Sequence, residues 1–306
     1  MFIRVSKRKL FPLILFFNML LSSNHLISQL DEIGSQRAFF SIHASPDRST
    51  LTLTNSNYTS LDIIEAKGSI MVDIPNINSF QCKWSPDSEK LMVMKSVYER
   101  KRRENGLIVI NKMGAIDYTV IELTDQNIYP IGWTGNNTIH YLLDSELMTQ
   151  NIKGSNNEWD MPLIYAIRNK LYKKTGDLDT TLLYEANDMI LNLSYSSDAR
   201  LITFEVYGNN TMIIKNSDTV IDDIGNGNAP KVSPDGNMVI FMVLEDDGYQ
   251  VTSGDIYLWD SKTGNIDPVA NDLEKIEMNP IWISNHSFFY IDLNDGSVNE
   301  MLLEEH

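Results

Sequence analysis

The sequence predicts an all-β chain folded as a six-bladed β-propeller of four-stranded antiparallel blades. Three observations predict it. A Ser-Pro-Asp-Gly-like turn between two apolar strands recurs six times along the 306 residues. A second hairpin follows several of these copies. Some strands are apolar on both faces, which requires a neighbour on each side.

Ahead of the repeats stands a leader-like segment. Arg4, Lys7, Arg8 and Lys9 precede an apolar stretch from Leu10 to Leu21, too short to span a bilayer comfortably. This is the pattern of a secretory signal peptide. Cleavage is expected after Ser28, although Leu26 stands where a small residue is usual; retention as an anchor is the alternative. Residues 1–28 are then the signal and residues 29–306 one propeller domain, periplasmic or secreted, with no membrane span after cleavage and monomeric. Acidic residues number 41 against 25 Lys and Arg, for a formal net charge of −16. Such a surface repels phosphate backbones and anionic bilayers, which excludes nucleic acid as the expected partner. Cys82 is the single cysteine, so no intramolecular disulfide can form. Its strand-like surroundings make it a small buried hydrophobe.

The repeats read FSIHASPDRSTLTLTN from Phe40, QCKWSPDSEKLMVMKS from Gln81, SYSSDARLITFEVYG from Ser194 and APKVSPDGNMVIFMVLEDDG from Ala229. Two degraded copies start at Pro130 and Pro280. The turn positions are Ser45, Ser85, Thr134, Ser196, Ser233 and Ser284, at intervals of 40, 49, 62, 37 and 51 residues. Pro presets φ for a tight turn, Asp caps local amides, and Gly tolerates positive φ. Second hairpins follow at Gly106–Leu123, Asn169–Asp188 and Asp255–Asp272. Four strands per period of this length are the mark of a propeller blade. The last blade offers three strands, Ile281–Ser284, Phe288–Leu293 and Val298–Leu303. Gln29–Ser35 is the segment available to complete it.

The stretches Trp84-Ser85-Pro86-Asp87 and Ser233-Pro234-Asp235-Gly236, with Tyr257 and Trp259 in the outer hairpin, resemble the TolB-type, WD-repeat-like propeller family. The resemblance covers residues 38 to 306. It implies a bacterial, six-bladed, periplasmic propeller that acts through protein–protein contact. No counterpart of the family's N-terminal α/β domain is expected, because the repeats begin shortly after the expected cleavage point.

Blade geometry sorts the loops. With strands running A to D from axis to rim, the Ser-Pro-Asp turns join A to B on one face. The B–C loops emerge on the other face, beside the D–A connections. Three long B–C connections are expected there. Val97–Asn105 carries Arg100, Lys101, Arg102 and Arg103; Ser145–Arg168 carries Trp159 and Tyr165; Glu245–Gly254 carries Glu245, Asp246, Asp247 and Tyr249. Function concentrates on loops borne by a rigid scaffold, so these ten residues are the candidate partner-binding set. The partner is expected to be a protein of the cell envelope. The basic cluster opposes the overall charge and suits an acidic protein segment or an anionic glycan, the alternative being a solvated hairpin tip.

No catalytic residues stand out. Apart from His25 in the leader and His306 at the terminus, the histidines are His43, His140 and His286, all on or beside A–B hairpins. No HExxH, CxxC, GxSxG or phosphate-loop spacing occurs. The sequence therefore calls for no cofactor and no metal. The alternative is a glycan-binding module or a carbohydrate-active hydrolase or lyase with its site in the axial pocket. Ionisable groups meeting there, or aromatics lining it, would favour that alternative.

Overall fold

The computed structural model describes residues 39–55, 60–65, 68–75, 77–99, 102–208, 210–215 and 220–303. The expected signal, the closing segment Gln29–Ser35, and both Arg100 and Lys101 lie outside these residues.

Each clear Ser-Pro-Asp copy closes its hairpin with the same bonds. The serine hydroxyl donates to the Asp carboxylate two residues on, at 2.7 Å for Ser45–Asp47, 2.6 Å for Ser85–Asp87, 2.7 Å for Ser196–Asp198 and 2.6 Å for Ser233–Asp235. The same oxygen accepts the amide five residues on, from Thr50, Lys90, Leu201 and Met238. The fourth turn residue is left-handed in every copy: Arg48, Ser88, Ala199 and Gly236 have φ of 61°, 63°, 55° and 72°. Only the last of these is the glycine that conformation favours.

The described strands form seven antiparallel sheets. The first holds β1 (Phe39–Ala44), β2 (Thr50–Asn55), β3 (Ser60–Glu65) and β4 (Gly68–Pro75). The second holds β5 (Ile77–Trp84), β6 (Lys90–Glu99), β7 (Arg102–Asn111) and β8 (Ile116–Thr124). The third is β9 (Ile128–Trp133), β10 (Thr138–Leu143) and β11 (Glu146–Asn151). The fourth is β12 (Leu163–Ile167), β13 (Lys170–Lys174) and β14 (Thr180–Glu185). Then follow β15 (Ile190–Tyr195), β16 (Leu201–Val206), β17 (Asn210–Lys215) and β18 (Val220–Asn226). The sixth sheet is β19 (Asn228–Val232), β20 (Met238–Asp246), β21 (Val251–Asp260) and β22 (Ile266–Ala270), and the seventh is β23 (Glu277–Ser284), β24 (Ser287–Asp292) and β25 (Val298–Leu302).

The expected count of six is corrected to seven, and three of the sheets have three strands rather than four. The extra sheet lies in the 62-residue interval between Thr134 and Ser196. There Ser145–Arg168, expected as a loop, contains β11 and β12. The hairpin joining β12 to β13 turns at Arg168-Asn169 instead of Ser-Pro-Asp, with Arg168 at φ 55°, so it carries no recognisable repeat. The odd strand count of the third sheet also reverses the next one. Asp160 donates its amide to Thr134 O, which places the entry to β12 at the Ser-Pro-Asp end. Ile190 donates to Arg168 O, which places its exit beside the start of β15. The inner strand β12 therefore runs against its neighbours.

Consecutive sheets touch all the way round, and the seventh touches the first. An apolar cluster of Phe39, Ile42, Leu51 and Leu53 with Phe289, Ile291 and Val298 fills this last seam. Phe39 donates its amide to Gly296 O at 3.2 Å, and Asn279 Nδ2 donates to Phe40 O at 2.7 Å. Closure comes from two sheets packed face to face. Strands β16 and β24 are buried along their whole length, as strands between two neighbouring sheets must be.

Two substitutions test this packing. A Cβ on Gly236 would lie 3.0 Å from Ser196 Cβ in the adjacent sheet, at φ 72°. Gly236→Ala is expected to cost about 1–2 kcal/mol, seen as a lower urea midpoint at unchanged slope. Glu277 is the second. It is 1% exposed with Oε2 unpartnered, and burial, reinforced by the Asp255 carboxylate, pushes its pKa from 4.5 up to about 7. The stability held by neutral Glu277 is complete below pH 4.5 and is lost as pH rises through about 7. Glu277→Gln should therefore raise the melting temperature at pH 8 relative to the parent, with the gain vanishing near pH 4; an equal gain at both pH values refutes the assignment.

Candidate functional site

Two of the three expected B–C connections are long hairpins on the face opposite the Ser-Pro-Asp turns. In the second sheet β6 and β7 stay paired out to Glu99↔Arg102. Arg102 and Arg103 are exposed there. Arg103 Nε donates to Asn105 Oδ1 at 3.1 Å and its Nη2 to Ser96 Oγ at 3.1 Å. In the sixth sheet β20 and β21 pair out to Asp246↔Val251. Glu245 and Asp246 end β20, and Asp247 and Tyr249 form the tip. The Asp247 carboxylate accepts the amides of Tyr249 and Gln250, both at 2.9 Å, which hold it below the usual carboxylate range. The two hairpins stand three sheets apart in the seven-sheet ring, so basic and acidic tips flank the face without meeting.

The third connection departs from expectation. Trp159 lies on the Ser-Pro-Asp face, half-buried between the third and fourth sheets. Its ring is 5.1 Å from that of His140, Lys174 Nζ sits 5.4 Å above it, and its Nε1 donates to Asp177 Oδ1 at 3.2 Å. It seals a seam. Tyr165 belongs to β12 and is 5% exposed, with its ring stacked 5.3 Å from Tyr172. The run Leu163-Ile164-Tyr165 pairs with β13, which draws this tyrosine into the ring's interior and away from the surface set.

The inner strands enclose an axial cavity of about 540 Å³. Sequence spacing did not reveal its lining, because it comes from inner strands of all seven sheets. His43 and Ser41 come from β1, Cys82 and Lys83 from β5, Tyr129 from β9, Tyr165 from β12, Tyr195 from β15, Lys231 from β19 and Asn279 from β23. One signal was available. Lys83 and Lys231 each stand two residues before a turn serine, and His43 does the same in the first sheet. Equivalent repeat positions reach the axis at one height.

The backbone at this height is fixed by the repeat tryptophans. Trp133 Nε1 donates to Lys83 O, and Trp282 Nε1 to Lys231 O, both at 2.9 Å across a seam. By the same register Trp84 would serve His43, whose carbonyl accepts the Thr52 hydroxyl at 3.4 Å; Trp84 Nε1 has no partner. Burial, aided by Lys231 and Lys83, lowers His43 to about 3, so its ring is neutral. Burial and the Lys83 charge bring Lys231 down to about 8. Burial raises the Cys82 thiol to about 11, which makes it a poor nucleophile at neutral pH. Glu205 is the carboxylate closest in effect to Lys231, and it accepts from Ala229 N at 2.9 Å and from Asn192 Nδ2. Among the described residues no group of three or more His, Cys, Asp or Glu is arranged to hold a metal ion.

No protein-family model and no curated protein sequence matches the chain. Solved structures do. The β-propeller domain of Cps50 (Swd1) from Myceliophthora thermophila superposes with a TM-score of 0.60 at 12% identity, covering 88% of this chain and 97% of that one. Hsv2 of Kluyveromyces lactis gives 0.59 at 8% identity, with 89% and 95% covered. Hsv2 of Kluyveromyces marxianus gives 0.58 at 9% identity, with 85% and 91% covered. At such identities the likeness establishes the fold alone: this chain is a WD-repeat-like β-propeller.

Proposed function

We propose that this propeller is a non-catalytic scaffold that binds a protein partner through the face bearing the long hairpins. The carrying observation is the aromatic surface of that face. Tyr98 is 75% exposed, Tyr207 68% and Tyr249 98%, with Tyr129, Met189 and Leu273 also exposed between them. Tyrosine is enriched at protein interfaces because its ring buries area while its hydroxyl still bonds. Exposed apolar groups gathered on one face mark interaction sites. Arg102 and Arg103 supply a positive rim on one side, and Glu245, Asp246 and Asp247 a negative rim on the other, which would orient a partner of complementary charge. Arg100 and Lys101 extend the basic cluster in sequence.

The reading extends to an exported, TolB-like, monomeric scaffold of the cell envelope, with residues 29–306 as its one domain. The basic start and apolar stretch from Arg4 to Leu21 support export. The Ser-Pro-Asp repeats support the kinship.

A second reading rests on the axial cavity. Ionisable groups with shifted pKa values meet there beside three tyrosines. That is the arrangement expected of a propeller that takes a small ligand, as a glycan-binding module or carbohydrate-active enzyme would.

Affinity capture from the native envelope, quantified by mass spectrometry, tests the scaffold. Tyr98→Ala combined with Arg102→Ala and Arg103→Ala should reduce recovery of the captured partner at least tenfold. The folding stability should change by no more than about 0.5 kcal/mol per site, as for exposed positions. Undiminished recovery removes this face from the proposal. N-terminal sequencing of the exported chain should read Gln29 first; a Met1 terminus would defeat cleavage after Ser28.

A further inference from the structure

The axial cavity concentrates positive charge inside a strongly acidic protein. Lys83 and Lys231 reach it from the second and sixth sheets, at equivalent repeat positions. Their backbones are clamped by Trp133 and Trp282. Among the described residues neither ammonium has a hydrogen bond or an ion pair. Glu205 is engaged with Asn192 and the Ala229 amide, and His43 is neutral. Two half-buried cations face one cavity with a single carboxylate, Glu205, acting on Lys231, an excess of positive charge that is relieved when an anion enters. The volume of about 540 Å³ exceeds what an inorganic ion needs and matches small-molecule sites. Arg168 also borders it, and the remaining lining is largely apolar or aromatic, including Ile42, Ile131 and Tyr195.

We propose that this cavity binds a small organic anion, with a carboxylate or phosphate head between Lys83 and Lys231 and an apolar body against Ile42, Ile131 and Tyr195. The head would complete the charge balance that the chain leaves open. The body would distinguish the ligand from simple salts. Tyr129 and Met189 border both the cavity and the partner face, but Lys83 and Lys231 belong to the cavity alone, so the two proposals are tested by different variants.

The full chain supplies the test. Calorimetric titration with phenyl phosphate and with citrate, at fixed ionic strength, reads head-group binding; glucose is the neutral probe and inorganic phosphate the bodiless one. Saturable one-to-one binding of phenyl phosphate is expected, at least tenfold tighter than inorganic phosphate, with no binding of glucose. Lys83→Met and Lys231→Met should each weaken phenyl phosphate at least tenfold. Lys231→Arg should retain affinity within about threefold, because the charge remains. Removing one of two facing like charges should leave the melting temperature of the unliganded Met variants no lower than the parent's, so lost binding cannot be ascribed to unfolding. Arg102→Ala should leave binding unchanged. Absence of saturable binding by both anions, equal affinity in the Lys→Met variants, or glucose binding as tightly as phenyl phosphate would overturn the proposal.

Discussion

Strands such as β2, β16 and β24 are buried on both faces, and that single constraint organises the molecule. A sheet such as the fifth, whose strand β16 is buried throughout, cannot exist at a free edge of the stack. Each sheet needs two neighbours, and only a closed ring gives two neighbours to all of them. The seam between the first and seventh sheets shows how demanding this is. Among the described residues it is sealed by Phe39, Ile42, Leu51 and Leu53 against Phe289, Ile291 and Val298, with the Phe39–Gly296 and Asn279–Phe40 hydrogen bonds beside them.

The turn serines connect this architecture to the axial site. In the four clear copies each is buried, and each binds its own Asp and the next strand's first amide. The turn fixes where an inner strand stops. The residue two places earlier then projects at a set height, and for Lys83 and Lys231 the tryptophan of the following sheet, Trp133 or Trp282, holds its carbonyl. Folding devices and the geometry of the cavity are thus one set of bonds. The two lysines are not loop decorations but parts of the repeat, varied at one position.

The sequence made the fold class legible through its turn chemistry, because Ser-Pro-Asp before an apolar strand has a single economical structure. It hid one blade because β12 and β13 turn at Arg168-Asn169 with no repeat signature. Tyr165 was misplaced for the same reason: an apolar run inside a polar interval resembles an anchored loop until its pairing with Tyr172 is known. The tips at Arg102, Arg103, Asp247 and Tyr249 were readable, since a hairpin extended beyond its sheet must carry polar ends. The axial cavity was not readable, because its residues are separated by whole blades. Only the shared offset of Lys83 and Lys231 from their turn serines hinted at it.

The reversed inner strand β12 restricts how such a ring can change in length. Direction along the axis alternates with every strand, so dropping one strand from the third sheet turns the fourth upside down. Dropping one from the fourth restores the heading of β15 and of everything after it. The third and fourth sheets are therefore a matched pair. The paired losses in the third and fourth sheets keep β15 and the inner strands after it in line, which makes strand parity, rather than repeat number, the quantity conserved across that part of the ring.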